Sequence, residues 1–238
     1  MAKQFKIPNQ SVKYILFQRT EYLTLTNNSL FRFLRKLFSF LNYNRSVGIE
    51  AILRNKEIKT MYMVDMESEY ESIMSFLPNN CSSILDVGCG VAGIDLFLNE
   101  HYLNRGVEFF LLDKNEIEED IFYNYAEKTA FYNSLDVAKD LLVQNGVKNE
   151  KVHLIEATEK NDINIDIGVD LVLSLISWGF HYPVGVYLEK VYNLLNDEGG
   201  LILDVRKNTD GLDMITQKFG DYRIIKETNT YTRVFAAK

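Results

Sequence analysis

The sequence predicts an α/β protein: a doubly wound, mostly parallel seven-stranded sheet closed by a C-terminal antiparallel hairpin, with a helical segment ahead of it. Three observations carry this. Short apolar runs alternate with helix-patterned stretches from Ser83 onward, the grammar of a parallel sheet covered on both faces. The first of these runs ends in a glycine-rich turn. The last two are separated only by Asn229 and Thr230, too short for the crossover that parallel neighbours need, so they pair as a hairpin.

The first 60 residues read as helices. Ser29 to Tyr43, SLFRFLRKLFSFLNY, opens on a Ser cap and is apolar at 30, 31, 33, 34, 37, 38, 40 and 41. Glu67 to Leu77 reads as a helix stopped by Pro78. Ser83 to Val87 is the first strand, followed by the glycine turn and a helix near 91–104. Val107 to Asp113 and Val152 to Ala157 are the second and third strands, with a helix from about Leu135 between them. Asp170 to Leu175 is the fourth, followed by a helix at about Val184 to Leu195. The fifth, Gly200 to Arg206, follows the Gly199–Gly200 turn. A short helix near Leu212 to Phe219 leads into the hairpin, Tyr222 to Thr228 and Tyr231 to Ala237. The expected division is an accessory helical segment at 1–65 and a main domain at 66–238, with an insertion at 114–134.

Composition narrows the class. The chain has 238 residues, 47% of them hydrophobic, enough for one substantial core. No signal-peptide layout opens it and no apolar run reaches membrane-spanning length, so a cytoplasmic location is expected. Cys81 and Cys89 are too few for a disulfide framework. The net charge of -7 is uneven: residues 1–60 hold 11 basic and three acidic residues, leaving 15 basic and 30 acidic in the rest. So acidic a body repels polyanions, which argues against a nucleic-acid partner.

The turn reads Asp86-Val87-Gly88-Cys89-Gly90-Val91-Ala92-Gly93, a strand running into D-x-G-x-G-x-x-G and then a helix. Its glycines permit the tight turn and close ligand approach, with helix N–H groups facing the ligand. Asp113 ends the next strand, where a carboxylate grips ribose hydroxyls. Charge selects the ligand. A dinucleotide would lay its pyrophosphate beside Asp86, which repels it. S-adenosylmethionine brings an ammonium and a sulfonium, which a carboxylate attracts.

Over about residues 65–238 the chain resembles the class I S-adenosylmethionine-dependent methyltransferases. The resemblance rests on LDVGCGVAG (Leu85 to Gly93), LLD (Leu111 to Asp113), VDLVLSL (Val169 to Leu175) and GGLILD (Gly199 to Asp204). It implies S-adenosylmethionine as cofactor, with Asp86, Gly88, Cys89 and Gly90 around the methionine end. Asp113 would hold the ribose, with Ala157 or Thr158 near the adenine edge. Lys114 stands beside adenine where many members carry an apolar residue, and Ser174 ends the fourth strand on the same edge.

Ligands of open parallel sheets sit outside the carboxyl ends of the strands. The loop expected after the fourth strand holds Trp178, His181 and Tyr182. Methyl transfer to an alcohol needs alignment and a base, and His181 is the candidate base. Trp178 and Tyr182 are candidate acceptor-binding walls, and Arg206 suits a carboxylate or phosphate on the acceptor. No His, Cys, Asp or Glu cluster shows metal spacing, so no metal is expected.

The aromatic insertion, with Phe122, Tyr123, Tyr125, Phe131 and Tyr132, is a candidate acceptor wall or a surface helix with its own small core. The basic 29–43 helix reads as a lid over the site, or as a peripheral contact with an anionic membrane. WGFHYP (178–183) and AFYNSLDVAK (130–139) resemble segments of methyltransferases from bacterial surface-polysaccharide gene clusters. That implies a small saccharide-related acceptor methylated on oxygen. N-methylation of an amino sugar or small amine is an alternative, as is a non-catalytic subunit that keeps the fold.

Overall fold

The computed structural model describes residues 5–29, 33, 37, 42–103, 105–115 and 133–238. Most of the expected 29–43 helix and of the 114–134 insertion therefore lies outside the described residues.

Strands β1 (Ser83–Val87), β2 (Glu108–Asp113), β3 (Val152–Glu156), β4 (Val169–Ser174), β5 (Ser177–Tyr182), β6 (Leu195–Arg206), β7 (Arg223–Glu227) and β8 (Tyr231–Ala237) follow in chain order. All but β5 join one seven-stranded sheet, ordered β3-β2-β1-β4-β6-β8-β7. The first five of these are parallel, and β8 runs antiparallel to both β6 and β7. This is the predicted sheet. The chain winds outward from β1 to β3, then crosses to β4, so β1 and β4 flank the point where the winding reverses.

The strand alternation explains why both faces are covered. Ile84, Leu171, Leu173 and Ile202 enter one hydrophobic core, while Leu85, Val172, Leu201 and Leu203 enter the other. The helices divide accordingly. The first core takes α1 (Ser11–Gln18), α2 (Tyr43–Leu53), α3 (Asn55–Ile73), α4 (Gly93–His101) and α5 (Leu135–Gln144). The second takes α6 (Leu188–Leu194) and α7 (Gly211–Phe219).

Several local expectations differ from the structure, among them the fifth strand, which begins at Leu195 and runs through Gly199 and Gly200 where a turn is expected. The helix expected at 67–77 is the end of the longer α3, followed by a 3-10 turn at Met74–Phe76. Its buried residues Ile58, Tyr62, Met66 and Ile73 form one continuous stripe, so the helix does not start afresh at Glu67. The loop expected after β4 is mostly extended: β5 packs against β6 outside the main sheet. Ile176, at φ +54, makes the sharp turn between β4 and β5.

The expected boundary at 65/66 falls inside α3. Val12, Ile15, Leu16, Val47 and Ile58 share a core with Ile84 and Leu111, so the N-terminal helices and the sheet bury apolar surface together. Among the described residues no helix is long and apolar enough to cross a membrane.

Candidate active site

The carboxyl ends of β1, β2 and β4 converge at the reversal point. Gly88 and Gly90 turn the chain out of β1 at φ +80 and +56, values that side chains with a Cβ rarely adopt. The Gly88 and Cys89 amides donate to the Leu112 carbonyl at 2.7 and 3.3 Å, tying the turn to β2.

Asp113 clamps the same turn from the end of β2. Its Oδ2 accepts from the Gly90 amide at 2.8 Å, and its Oδ1 from the Lys114 amide at 2.7 Å. A carboxylate has about four lone-pair sites, so two bonds leave acceptor capacity for a ligand hydroxyl. Burial raises its pKa to about 6, partly offset by those amides and by Asn133. The Ala157 amide donates to the Asp113 carbonyl at 2.8 Å, which brings Ala157 and the exposed Thr158 to the carboxyl end of β2.

Asp86 is buried beside the turn, with Asp95 of the first turn of α4 acting on it at close range. Burial first, then the Asp95 and Asp113 charges, push the Asp86 carboxyl well above the usual range. Asp95 is fully buried, its pKa raised to about 7 by desolvation. Burial and the three aspartates also raise the Cys89 thiol, which stays protonated. Three carboxyl groups therefore crowd one glycine turn.

Several residues around the turn carry no local sequence signal. A Cβ on Gly88 would lie 1.8 Å from the Ser177 hydroxyl, so β5 closes directly over it. Gln18 of α1 approaches Gly90, where a Cβ would come within 2.6 Å of its Oε1, and its Nε2 donates to Asn133 Oδ1 at 3.1 Å. Tyr62 of α3 lies over Gly93, where a Cβ would come within 2.1 Å of the phenol oxygen. Only Asp95 was open to detection, as a lone acid in the apolar run Ile94 to Leu98.

The remaining predicted residues separate. The fully buried Ser174 donates to the Val87 carbonyl at 2.6 Å and accepts from the Trp178 amide at 2.9 Å, so its hydroxyl joins β1 to β5. Trp178 is 1% exposed and its indole donates to the Val184 carbonyl at 2.9 Å. It packs in the second core rather than along an open wall. Tyr182 keeps a partly exposed ring, and burial together with the Asp113 charge raises its pKa to about 12. His181 is exposed at the end of β5. Arg206 lies close by: its guanidinium is 5.4 Å from the Phe180 ring centre, and that ring meets His181 edge-on at 5.0 Å. Desolvation and the Arg206 charge lower the His181 pKa. No group of three metal-binding side chains occurs among the described residues.

The sheet order and closing hairpin are those of the Rossmann-like methyltransferase fold. A chain from Nostoc punctiforme, described as a candidate O-methyltransferase, matches 74% of this chain and 58% of its own length, at 18% identity and a TM-score of 0.50. A precorrin-6y C5,15-methyltransferase from Geobacter metallireducens matches over 76% and 87%, at 14% identity and a TM-score of 0.47. A 16S rRNA methyltransferase from T. thermophilus, solved with AdoMet and guanosine, matches over 74% and 42%, at 15% identity and a TM-score of 0.47. The chain thus spans about half the length of two of these three structures. No protein-family model and no curated protein matches the sequence.

Proposed function

We propose that this protein is an S-adenosylmethionine-dependent methyltransferase acting on a hydroxyl of a small, saccharide-related acceptor. One observation carries the cofactor reading. Asp86, Asp95 and Asp113 surround a positive-φ glycine turn at the sheet's reversal point, and among the described residues no Lys or Arg forms an ion pair with them. Such a donor set repels a pyrophosphate and fits a ligand that arrives with an ammonium and a sulfonium.

In this reading Asp86 and the backbone of Gly88, Cys89 and Gly90 face the methionine end. Asp113 takes the ribose hydroxyls, and Lys114, Ala157 and Thr158 border the adenine. The cofactor supplies an electrophilic methyl group and a neutral thioether leaving group. The chain's own task is then to align the acceptor and remove its proton. His181 is the proposed base: a lowered pKa keeps its imidazole neutral near pH 7 and ready to accept a proton. Arg206, next to it, suits an anionic group on the acceptor, and Tyr182 the acceptor wall. The saccharide class rests on the WGFHYP and AFYNSLDVAK resemblance.

Calorimetric titration tests the cofactor. S-adenosylhomocysteine should bind and NAD should not; binding of NAD with no heat from S-adenosylhomocysteine overturns the reading. Methyl transfer assayed across sugar nucleotides, saccharides and small amines tests the acceptor.

A further inference from the structure

Asp95 is assigned no ligand contact above, yet its setting is unusual. The side chain is fully buried at the start of α4, and among the described residues neither oxygen meets a hydrogen-bond donor. A bare carboxylate in that position would bear the full cost of desolvation. Its close neighbour is a second buried carboxyl, Asp86. Two carboxyls at close range in a dry site do not both ionise, and a proton shared between them supplies the donor that Asp95 lacks.

Among the described residues, the other titratable groups facing the pair do not relieve it. Asp113 adds a third negative charge to Asp86, and the Cys89 thiol is held neutral by the same carboxylates. Tyr62 is buried and neutral, with its pKa raised. Arg19, a cation beside that tyrosine, lies 5.8 Å from its ring centre and is paired with Asp65 at 3.4 Å. A positive ligand group at the methionine end would be the counter-charge.

We propose that Asp95 and Asp86 share one proton in the cofactor-free protein and release it when the cofactor's ammonium binds, so that cofactor affinity is linked to pH through Asp95. This rests on the S-adenosylmethionine reading. The sign follows from linkage: the bound cation favours the deprotonated pair. Affinity therefore rises with pH, by up to tenfold per unit, while the pair holds its proton, and levels off once the proton has left. Below about pH 7 the ligand's own α-amino group is fully charged and adds nothing to the slope.

The test is calorimetric titration of the full chain with S-adenosylhomocysteine at about pH 6, repeated in buffers of different ionisation enthalpy. The expected result is release of close to one proton per ligand bound. Asp95→Asn should bind S-adenosylhomocysteine with little proton release and a flattened pH dependence. Asp113→Asn should keep the share of the release that comes from the pair, even with weaker binding, and lose only what Asp113 itself, with its pKa raised to about 6, contributes. Methylthioadenosine, which lacks the amino-acid end, should release none from the pair. Tight binding of S-adenosylhomocysteine by the native protein with no buffer dependence overturns this proposal and leaves the cofactor reading standing. Equal release by Asp95→Asn and native protein overturns it too. No binding of S-adenosylhomocysteine at all overturns both.

Discussion

Asp204 of β6 holds Arg233 of β8 at two points, Oδ1 to Nε at 2.6 Å and Oδ2 to Nη2 at 2.8 Å, with neither side chain exposed. The same guanidinium reaches Glu69 and, at 2.8 Å, the Ser72 hydroxyl of α3. Asp204 also accepts from the Ile176 amide at 3.0 Å, which pins the turn between β4 and β5. One buried network therefore connects the N-terminal helices, the antiparallel edge and the segment bearing His181. Asp204→Asn leaves the buried Arg233 with Glu69 as its remaining counter-charge, so the fold should lose up to about 3–5 kcal/mol. Replacing both by apolar residues of similar volume should cost much less. Urea unfolding of the single and double variants checks this, and equal losses would contradict it.

Glu50 predicts a pH dependence of stability. Fully buried, it accepts from the amides of Thr24 and Thr26 at 2.7 Å each, from that of Leu25 at 3.0 Å, and from Arg54 at 2.5 Å. Desolvation raises its pKa, but these donors outweigh it and bring the value down to about 2. A depressed carboxyl pKa stabilises the fold at pH above the ordinary Glu value and loses that contribution as pH falls toward about 2. Glu50→Gln should lower stability at pH 7 by about 3 kcal/mol, taking about 1.4 kcal/mol per pKa unit. The gap from native protein should shrink on acidification; a gap constant from pH 7 to pH 3 would contradict it.

Asp113→Ala removes the acceptor proposed for the ribose and frees the Gly90 amide. S-adenosylhomocysteine binding should weaken by about 1–3 kcal/mol, the worth of hydrogen bonds to a charged group. Circular dichroism should be unchanged, since β2 keeps its backbone pairing to β1 and β3. Unaltered affinity would remove Asp113 from the cofactor site.

His181→Ala should lose about 10²–10⁴-fold in turnover while binding S-adenosylhomocysteine normally, if the acceptor is a hydroxyl. The native rate should rise with pH through an ionisation below the ordinary imidazole value and then level off, because partial desolvation of the ring and the Arg206 charge lower that pKa. Arg206→Gln removes the neighbouring positive charge, so the rising limb should move to higher pH. A His181→Ala enzyme within a few-fold of the native rate would exclude the base and favour an amine acceptor.

The strands, their order of appearance, the glycine turn and the closing hairpin were legible because each is written in local pattern. Two-residue alternation, Gly88 and Gly90 after a strand, and the Asn229–Thr230 connection need no distant partner to be read. Asp86 and Asp113 were legible for the same reason, since strand ends place them. What the tertiary structure alone decided is which side chains arrive there from elsewhere. Gln18, Tyr62 and Ser177 meet the turn because α1, α3 and β5 must bury apolar faces against the sheet, and that packing direction has no signature in the residues themselves. It also decided that Trp178 is core rather than wall, because the Ile176 turn points its indole inward to the Val184 carbonyl. Asp95 shows the limit most sharply. The sequence places an acid in the first turn of α4, where a helix N-terminus favours it. Only packing decides that it faces Asp86 with no hydrogen-bond donor among the described residues, because burial and proximity are properties of the assembled core.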